Sequence, residues 1–271
     1  MKITFIGGGN MADALIGGLL QKGNSAQELR VVEISREQRD KIANKYGVSC
    51  FASAADAVRA GDVVVFAVKP QQLRQAAGKS GLARNENLVI SIAAGVRLTS
   101  ISRWLGAHTR LVRAMPNTPA MIGEGITGLY PLSADVTAQD RRHAEAILGS
   151  VGVTVWIQKE AQMDAVTAIS GSGPAYVFFF IEALQEAAKK LGLPVEVAQR
   201  LALHTFTGAA RLAASSTDPV SVLRERVTSK GGTTEAALAS MAKDGVKEAI
   251  ISAIRAANER GRELGEELGK Q

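Results

Sequence analysis

The sequence predicts an α/β protein in which an N-terminal, mostly parallel sheet is followed by an all-helical C-terminal domain. Three observations support this class. A short apolar strand runs straight into a glycine turn at residues 7–9, strand-like and helical stretches alternate as far as residue 157, and only helical patterns follow. Such alternation is typical of parallel strands, since each crossover between them needs a helix. The change of pattern predicts domains at residues 1–161 and 162–271.

The first element is a strand at residues 2–6 that leads into Gly7, Gly8 and Gly9. With Ala12, the outer glycines match G-x-G-x-x-[G/A], in which the first glycine permits the tight turn and the second lets the backbone approach a pyrophosphate. The helix that follows presents unpaired N–H groups and its positive dipole end to that phosphate. We therefore expect a Rossmann-like dinucleotide site. Its first residues are Ile6, Gly7, Gly8, Gly9, Asn10 and Met11.

Further apolar runs with strand character occur at residues 29–34, 62–68, 88–93, 110–115, 125–130 and 153–157. Helical patterns separate most of them, at residues 36–46, 54–59, 99–105 and 137–151. The strand-like runs are continuously apolar, which indicates strands buried on both faces of a sheet. Because ligands of such sheets bind at the carboxyl ends of the strands, we expect the site residues there.

The second strand ends near Glu33, and Ser35 and Arg36 follow. An acid about 20 residues beyond the glycine turn accepts the ribose hydroxyls of NAD, whereas a nearby arginine accommodates the 2′-phosphate of NADP. Both signals occur here, and a solvated first helical turn explains Arg36 and Arg39 as well as phosphate binding does. The sequence therefore predicts NADPH or NADH as cofactor, with NADPH slightly favoured, and places Ser35 and Arg36 beside it.

Three further strand ends carry small residues or prolines. Pro70 stops the third strand and stiffens its turn, small residues end the fourth and leave room for a flat ring, and two prolines hold the loop around Asn117 after the fifth. Each turn has an adequate structural explanation by itself, but three in succession favour a ligand groove. The predicted cofactor contacts at these ends are Ala67, Val68, Lys69, Pro70, Ala93, Ala94 and Asn117.

The C-terminal half is predicted to form helices at residues 175–191, 194–215, 220–227, 234–242 and 246–268. The first of these is apolar nearly all round, so it must be buried. A region of about 110 residues has little core in which to bury it. An interlocked homodimer satisfies both conditions.

The turn at residues 228–234 is a second candidate site. Serine and threonines flank Gly231 and Gly232 immediately before a helix. Their hydroxyls are suited to capping that helix, and its bare N–H groups are suited to binding an anion. One capping residue suffices for an ordinary helix start, so the four hydroxyl residues around two glycines favour an anion site over a simple cap.

The composition argues against several other function classes. The net charge is +6, but basic and acidic residues are interleaved and aromatic residues make up 4% of the chain, so we expect a solvated basic surface and no nucleic-acid partner. The single cysteine, Cys50, suits a reducing cytoplasm, and three scattered histidines give no metal-ligand spacing. The longest later apolar run, residues 175–181, is too short to span a bilayer. We expect a cytoplasmic protein with neither a metal nor a membrane partner.

Six motifs occur in order: GGGNMA at residues 7–12, AVKP at 67–70, SIAAG at 91–95, MPNTP at 115–119, SGSGPAY at 170–176 and TSKGGTT at 228–234. Together they resemble the pyrroline-5-carboxylate reductases over nearly the whole chain, and the last two motifs are the specific ones. The resemblance implies NAD(P)H-dependent reduction of 1-pyrroline-5-carboxylate to L-proline. It also implies a helical domain that binds substrate and dimerises by interlocking, with dimers often assembled five at a time into decamers.

In that family the serine–glycine–threonine turn holds the substrate carboxylate, and a threonine lies near the imine nitrogen. The resemblance therefore assigns the catalytic role to Thr234, and Lys230 stands where the family often has proline. That exchange loosens the turn but leaves its backbone N–H groups in place. The implied substrate-binding residues are Ser229, Gly231, Gly232, Thr233 and Thr234.

Two alternative functions compete with this one. A β-hydroxyacid dehydrogenase or related imine reductase carries a catalytic lysine near the start of the long helix, where this chain has Val177. Lys189 and Lys190 lie at the far end of that helix, so oxidation of 3-hydroxyacids is disfavoured. A nucleotide-binding protein without turnover would use the same fold.

Overall fold

The computed structural model describes residues 1–82 and 86–270. Its strands are β1 (Ile3–Ile6), β2 (Leu29–Val32), β3 (Ser49–Phe51), β4 (Val63–Phe66), β5 (Leu88–Ser91), β6 (Leu111–Met115), β7 (Gly125–Pro131) and β8 (Gly152–Trp156). Its α-helices are α1 (Asn10–Gln21), α2 (Arg36–Tyr46), α3 (Ala54–Ala57), α4 (Pro70–Gly78), α5 (Leu98–Trp104), α6 (Ala138–Leu148), α7 (Gln162–Val166), α8 (Gly173–Lys190), α9 (Val195–Ser215), α10 (Val220–Arg226), α11 (Thr233–Lys243) and α12 (Val246–Lys270). A π-helical turn (Thr167–Gly171) directly follows α7.

The strands form one sheet in the order β3-β2-β1-β4-β5-β6-β7-β8. Pairing is parallel from β3 to β6, and β7 runs antiparallel to β6 but parallel to β8. The first six strands therefore bring their carboxyl ends to one edge. Strand order reverses at β1, where β2 lies on one side and β4 on the other, and ligands of such sheets bind at this switch point. The predicted mostly parallel sheet is confirmed.

Both faces of the sheet are covered by apolar side chains. In β1, Ile3 and Phe5 belong to one core cluster together with Leu15 of α1. Ile6 belongs to a second cluster together with Phe66 of β4. Burial on both faces explains why the strands are continuously apolar in sequence.

Two elements of the sheet domain escaped the sequence-based prediction. Strand β3 has three residues and none of them is fully buried, so it lacks an apolar signal. Helix α4 has nine residues and buries only Leu73 and Ala77, so its apolar periodicity is weak. By contrast, α2 occupies the predicted residues because both ends are marked locally. Ser35 caps its first turn, and Gly47 ends it at a left-handed φ of +67°.

The chain divides into two compact units, Met1–Ser172 with Ala257–Gln271, and Gly173–Ala256. These limits differ from the predicted domains in two places. Residues 162–172 stay with the sheet, where Val166 packs on Gly128 so closely that a Cβ at Gly128 would lie 2.7 Å from Val166 Cγ1. The end of α12 also belongs to the first unit, because Gly265 permits a close approach. A Cβ there would lie 2.8 Å from the carbonyl oxygen of Gly95.

In the second unit α8 packs on α9. The structure describes every residue of α8, and none of them is buried in the single chain. Phe178 and Phe179 are 66% and 67% exposed. One helical run within the described part of the chain, Gln162–Lys190, is long and apolar enough to cross a membrane by length and composition. It is longer than the apolar run at residues 175–181 because the π-helical turn continues the helix. A single helix of this kind is weak evidence for a span, since core helices of soluble proteins meet the same criterion.

Candidate functional site

The glycine turn after β1 lies against the end of β4. Gly7 adopts a φ of +105°, and a Cβ there would lie 2.7 Å from the carbonyl oxygen of Ala67 and 2.9 Å from Val68 Cγ1. Glycine meets both the backbone angle and the close approach. The Gly7 N–H donates to the carbonyl oxygen of Val32 at 2.8 Å, so the ends of β1, β2 and β4 meet at this turn.

The N-terminus of α1 opens beside that turn. Its cap residue, Gly9, brings no capping side chain. Among the described residues, none comes within 4 Å of a Cβ built at Gly9, and both Gly9 and Asn10 are exposed. Gly8 is buried and Met11 half-buried. Free N–H groups, the positive end of the helix dipole and open space fit the diphosphate of a nicotinamide dinucleotide.

The carboxylate of Glu33 is held on the glycine turn. It accepts the N–H of Gly8 and the N–H of Ser35, each at 2.9 Å. The guanidinium of Arg39 donates to the carbonyl oxygens of Glu33 and Ile34, at 2.6 and 2.9 Å. Arg39 thus braces the loop that follows β2.

Ser35 and Arg36 start the next helix. The Ser35 hydroxyl accepts the N–H of Gln38 at 3.4 Å, and the Arg36 side chain is 88% exposed, with Asp40 3.8 Å away. The structure therefore places an acid, Glu33, at the glycine turn and an exposed base, Arg36, at the first residue of α2. The two side chains that the sequence links to cofactor preference therefore lie close together in the chain, in the loop after β2 and at the start of α2.

A cleft of about 520 Å³ contains the glycine turn and the ends of β2 and β4. Several of its lining residues were not indicated by the sequence, because they come from α4 and from the turn after the unpredicted β3. These residues are Ala52, Ser53, Gln72, Gln75 and Lys79. A larger cleft, about 620 Å³, is lined by the flank of α1 and residues 120–123. Among its described lining residues Asn10 occurs but Gly7 and Glu33 do not, so the smaller cleft is the candidate cofactor site.

The remaining predicted contacts follow along the same edge. Lys69 occupies the N-cap position of α4 without a capping side-chain hydrogen bond, and Pro70 is the first residue of that helix. Ala93 is buried, and its N–H donates to Ser91 Oγ at 3.4 Å. Ala94 comes next in the chain. Because neighbouring strands lie about 4.8 Å apart, the ends of β5 and β6 lie about 10 and 15 Å from the glycine turn. That spread suits a ligand as long as a dinucleotide.

Asn117, after β6, is 9% exposed and uses both ends of its side-chain amide within the protein. Its Oδ1 accepts the N–H of Ile126 at 2.9 Å, and its Nδ2 donates to the carbonyl oxygen of Ser170 at 3.1 Å. The structure therefore ties this predicted cofactor contact to β7 and to the π-helical turn.

The second glycine turn precedes α11 in the second unit. Gly231 adopts a φ of +73°, and its N–H donates to the Glu235 carboxylate at 2.6 Å. Gly232 is the cap residue of α11, and no side chain in the described chain caps this helix. Ser229 folds back instead, since a Cβ at Gly232 would lie 2.5 Å from Ser229 Oγ. The expected hydroxyl cap is therefore replaced by an open helix N-terminus.

The two threonines lie at that N-terminus. Thr233 is exposed and Thr234 is half-buried. Across the residues that the structure describes, His, Cys, Asp and Glu form no group of three or more that could hold a metal ion.

Family models match two parts of the sequence. Residues 160–264 match the model for pyrroline-5-carboxylate reductase dimerisation, and residues 2–95 match the model for NADP oxidoreductases, coenzyme F420-dependent. The first match includes the turn before α11, and the second includes the glycine turn after β1.

Whole-chain relatives agree with these matches. The pyrroline-5-carboxylate reductase of Pseudomonas aeruginosa is 46% identical over 92% of this chain and 91% of its own length. The solved enzyme of the same name from Coxiella burnetii has a TM-score of 0.90 and 41% identity, covering 97% of this chain and 98% of that one. The Plasmodium falciparum enzyme, solved with NADP bound, has a TM-score of 0.85 and 31% identity over 98% of each chain. With identity of this level over almost its full length, the chain belongs to the pyrroline-5-carboxylate reductase family.

Proposed function

We propose that this protein transfers hydride from NADPH or NADH to the C=N bond of 1-pyrroline-5-carboxylate and so forms L-proline. The observation that carries the proposal is a pair of helix N-termini without a capping side chain, at Gly9 for α1 and at Gly232 for α11. Open N-termini bind anions. The reaction has two anions to hold, the diphosphate of the cofactor and the carboxylate of the substrate.

The cofactor, when bound, supplies the hydride. The chain supplies the site: the N-terminus of α1 holds the diphosphate, and the small residues Ala93 and Ala94 leave room for a flat ring. We assign the recognition of a 2′-phosphate to Ser35 and Arg36, which favours NADPH over NADH. Family membership supports a nicotinamide cofactor, since one relative is solved with NADP bound.

The side chains contribute little to the chemical step beyond binding and orienting the reactants. A protonated imine is a strong electrophile, so the protein lowers the barrier mainly by positioning and by keeping the nitrogen protonated. The N–H groups of the first turn of α11, at Thr233 and Thr234, anchor the carboxylate, while the N–H groups of Gly231 and Gly232 donate within the turn, to the Glu235 carboxylate and to the carbonyl oxygen of Ser229. The hydroxyl of Thr234 hydrogen-bonds the ring nitrogen and orients it. A threonine holds its own proton too tightly to be a strong acid, so the proton reaches the nitrogen through water.

We further propose that residues 1–161 bind the cofactor and that residues 162–271 bind substrate and form a homodimer. The exposure of Phe178 and Phe179 supports a dimer, because a second copy would bury these side chains. Five such dimers form the decamer, and the protein works in the cytoplasm. Light scattering on the purified protein measures the number of chains directly. A monomer at micromolar concentration would contradict the assembly.

The activity is tested by following reduced cofactor absorbance after addition of 1-pyrroline-5-carboxylate, with NADPH and NADH in parallel. We expect turnover with at least one cofactor. The variant T234A is expected to lower kcat by roughly tenfold or more with little change in cofactor affinity. T217A, which removes the hydroxyl of an exposed threonine in the loop before α10, is the matched control.

The same assay separates the alternatives. Oxidation of a 3-hydroxyacid by the oxidised cofactor would favour a β-hydroxyacid dehydrogenase. Cofactor binding without turnover of either substrate would favour a nucleotide-binding protein. A T234A variant with the kcat of the wild type would remove Thr234 from the mechanism.

A further inference from the structure

The carbonyl oxygen of Ser170 lacks its regular helical partner. In a continuous α-helix it would accept the N–H of the residue four positions later. That residue is Pro174, which has no N–H. The chain here forms a π-helical turn, closed by the Ser172 N–H on the carbonyl oxygen of Thr167 at 2.8 Å.

Asn117 supplies the missing donor. Its Nδ2 lies 3.1 Å from the carbonyl oxygen of Ser170, 53 residues further along the chain. At the other end of the same amide, Oδ1 accepts the N–H of Ile126 at the start of β7, at 2.9 Å. With 9% exposure, the side chain has little contact with water. One amide thus joins the π-helical turn to the sheet.

The turn also packs closely on the end of β6. Gly171 lies against the flexible end of the Met115 side chain, since a Cβ at Gly171 would lie 2.6 Å from Met115 Cε. Met115 and Asn117 flank Pro116 in the loop that leaves β6. Two neighbouring contacts therefore fix the turn to this loop, at the sheet edge that carries the candidate cofactor site. π-helical turns of this kind frequently occur at functional sites.

We propose that Asn117 is a positioning residue: its amide replaces the N–H that Pro174 cannot provide and fixes the π-helical turn on the loop after β6. Asn117 acts through Ser170 and Ile126 and does not bind the cofactor directly. This replaces the cofactor contact predicted from the sequence, and it rests on the proposed function for its kinetic consequence. When the amide is lost, the loop and the turn shift together and the reacting groups are misplaced.

The experiment combines two substitutions. N117D keeps an acceptor for Ile126 but removes the donor and sets a carboxylate against the carbonyl oxygen of Ser170. P174A restores a backbone N–H four residues after Ser170. We measure thermal unfolding, kcat, and the dissociation constant of NADPH from the free enzyme for each variant and for the double variant. N44D, the same exchange on the exposed side of α2, is the matched control.

N117D is expected to lower the Tm by about 5 °C and kcat by about tenfold, while NADPH binds within about threefold of the wild type. The P174A variant alone should resemble the wild type. In the double variant at least half of both losses should be recovered, because contacts that share a partner are coupled.

Two results would overturn the proposal. Failure of P174A to recover either Tm or kcat would show that the carbonyl oxygen of Ser170 is not the partner that matters. A dissociation constant for NADPH raised more than about tenfold in N117D, and unchanged by P174A, would make Asn117 a direct cofactor ligand. If the wild type fails to reduce pyrroline-5-carboxylate, the proposed function fails, but the Tm values still decide the role of Asn117.

Discussion

The sharpest stability prediction concerns a buried group of charges around Asp164. This carboxylate is 4% exposed; it accepts Arg97 Nη2 at 2.5 Å and lies 3.5 Å from Arg113 Nη2. Arg113 is 2% exposed and also pairs with Glu160 at 3.3 Å. Burial lowers the pKa of Arg113, and the negative charge of Glu160 opposes that effect. In the variant D164A, Arg97 would lose its carboxylate partner and Arg113 would keep only Glu160.

The size of the effect follows from this geometry. Removing one partner of a buried ion pair costs about 3–5 kcal/mol. The Arg97 side chain is 22% exposed and Arg113 retains Glu160, so both retain some compensation. We therefore expect the lower end, about 3 kcal/mol of unfolding free energy. For a chain of this size each kcal/mol lowers the Tm by about 2–4 °C, which gives a fall of about 6–12 °C.

Thermal unfolding followed by circular dichroism measures this fall. D135A, which removes an exposed carboxylate from the turn before α6, is the control and should unfold within about 2 °C of the wild type. If D164A also unfolds within that margin, the pairing of Asp164 contributes no net stability and the reasoning is refuted.

Three other predictions follow from the structure. G7A should raise the KM for the cofactor and lower the Tm, because the new Cβ would lie 2.7 Å from the carbonyl oxygen of Ala67 and the residue would have to keep a φ of +105°. An unchanged KM would show that the turn relaxes freely. R36A should lower the ratio of kcat/KM for NADPH over NADH by about tenfold, whereas an unchanged ratio would leave the 2′-phosphate to other groups. Burial lowers the pKa of His108 from 6.5, so the unfolded chain binds the proton more readily and stability falls as the pH drops below that value. H108Q should remove this part of the acid sensitivity in Tm measured from about pH 7 to pH 5, and an identical pH profile would contradict the assignment.

Local signals account for the parts of the fold that could be predicted. Helix α2 is marked by Ser35 at one end and Gly47 at the other, and the turn after β1 is marked by the run of glycines at residues 7–9. Elements with weak local signals escaped prediction: β3 has three residues, and α4 buries only two side chains. Their cleft residues, such as Ser53 and Gln72, were missed with them.

The sequence by itself determined the order of the strands and helices other than β3 and α4, the two glycine turns and the residues that surround them, because capping, turn formation and apolar periodicity depend on neighbours a few residues away. Only the tertiary structure decided the partners of particular polar groups. Glu33 turns to the N–H of Gly8, Asn117 reaches Ser170, and Asp164 meets Arg97, across separations of 25, 53 and 67 residues. Such pairs form because packing brings distant segments together, and each polar group that becomes buried then needs a hydrogen-bond partner. No local sequence pattern encodes which partner that is.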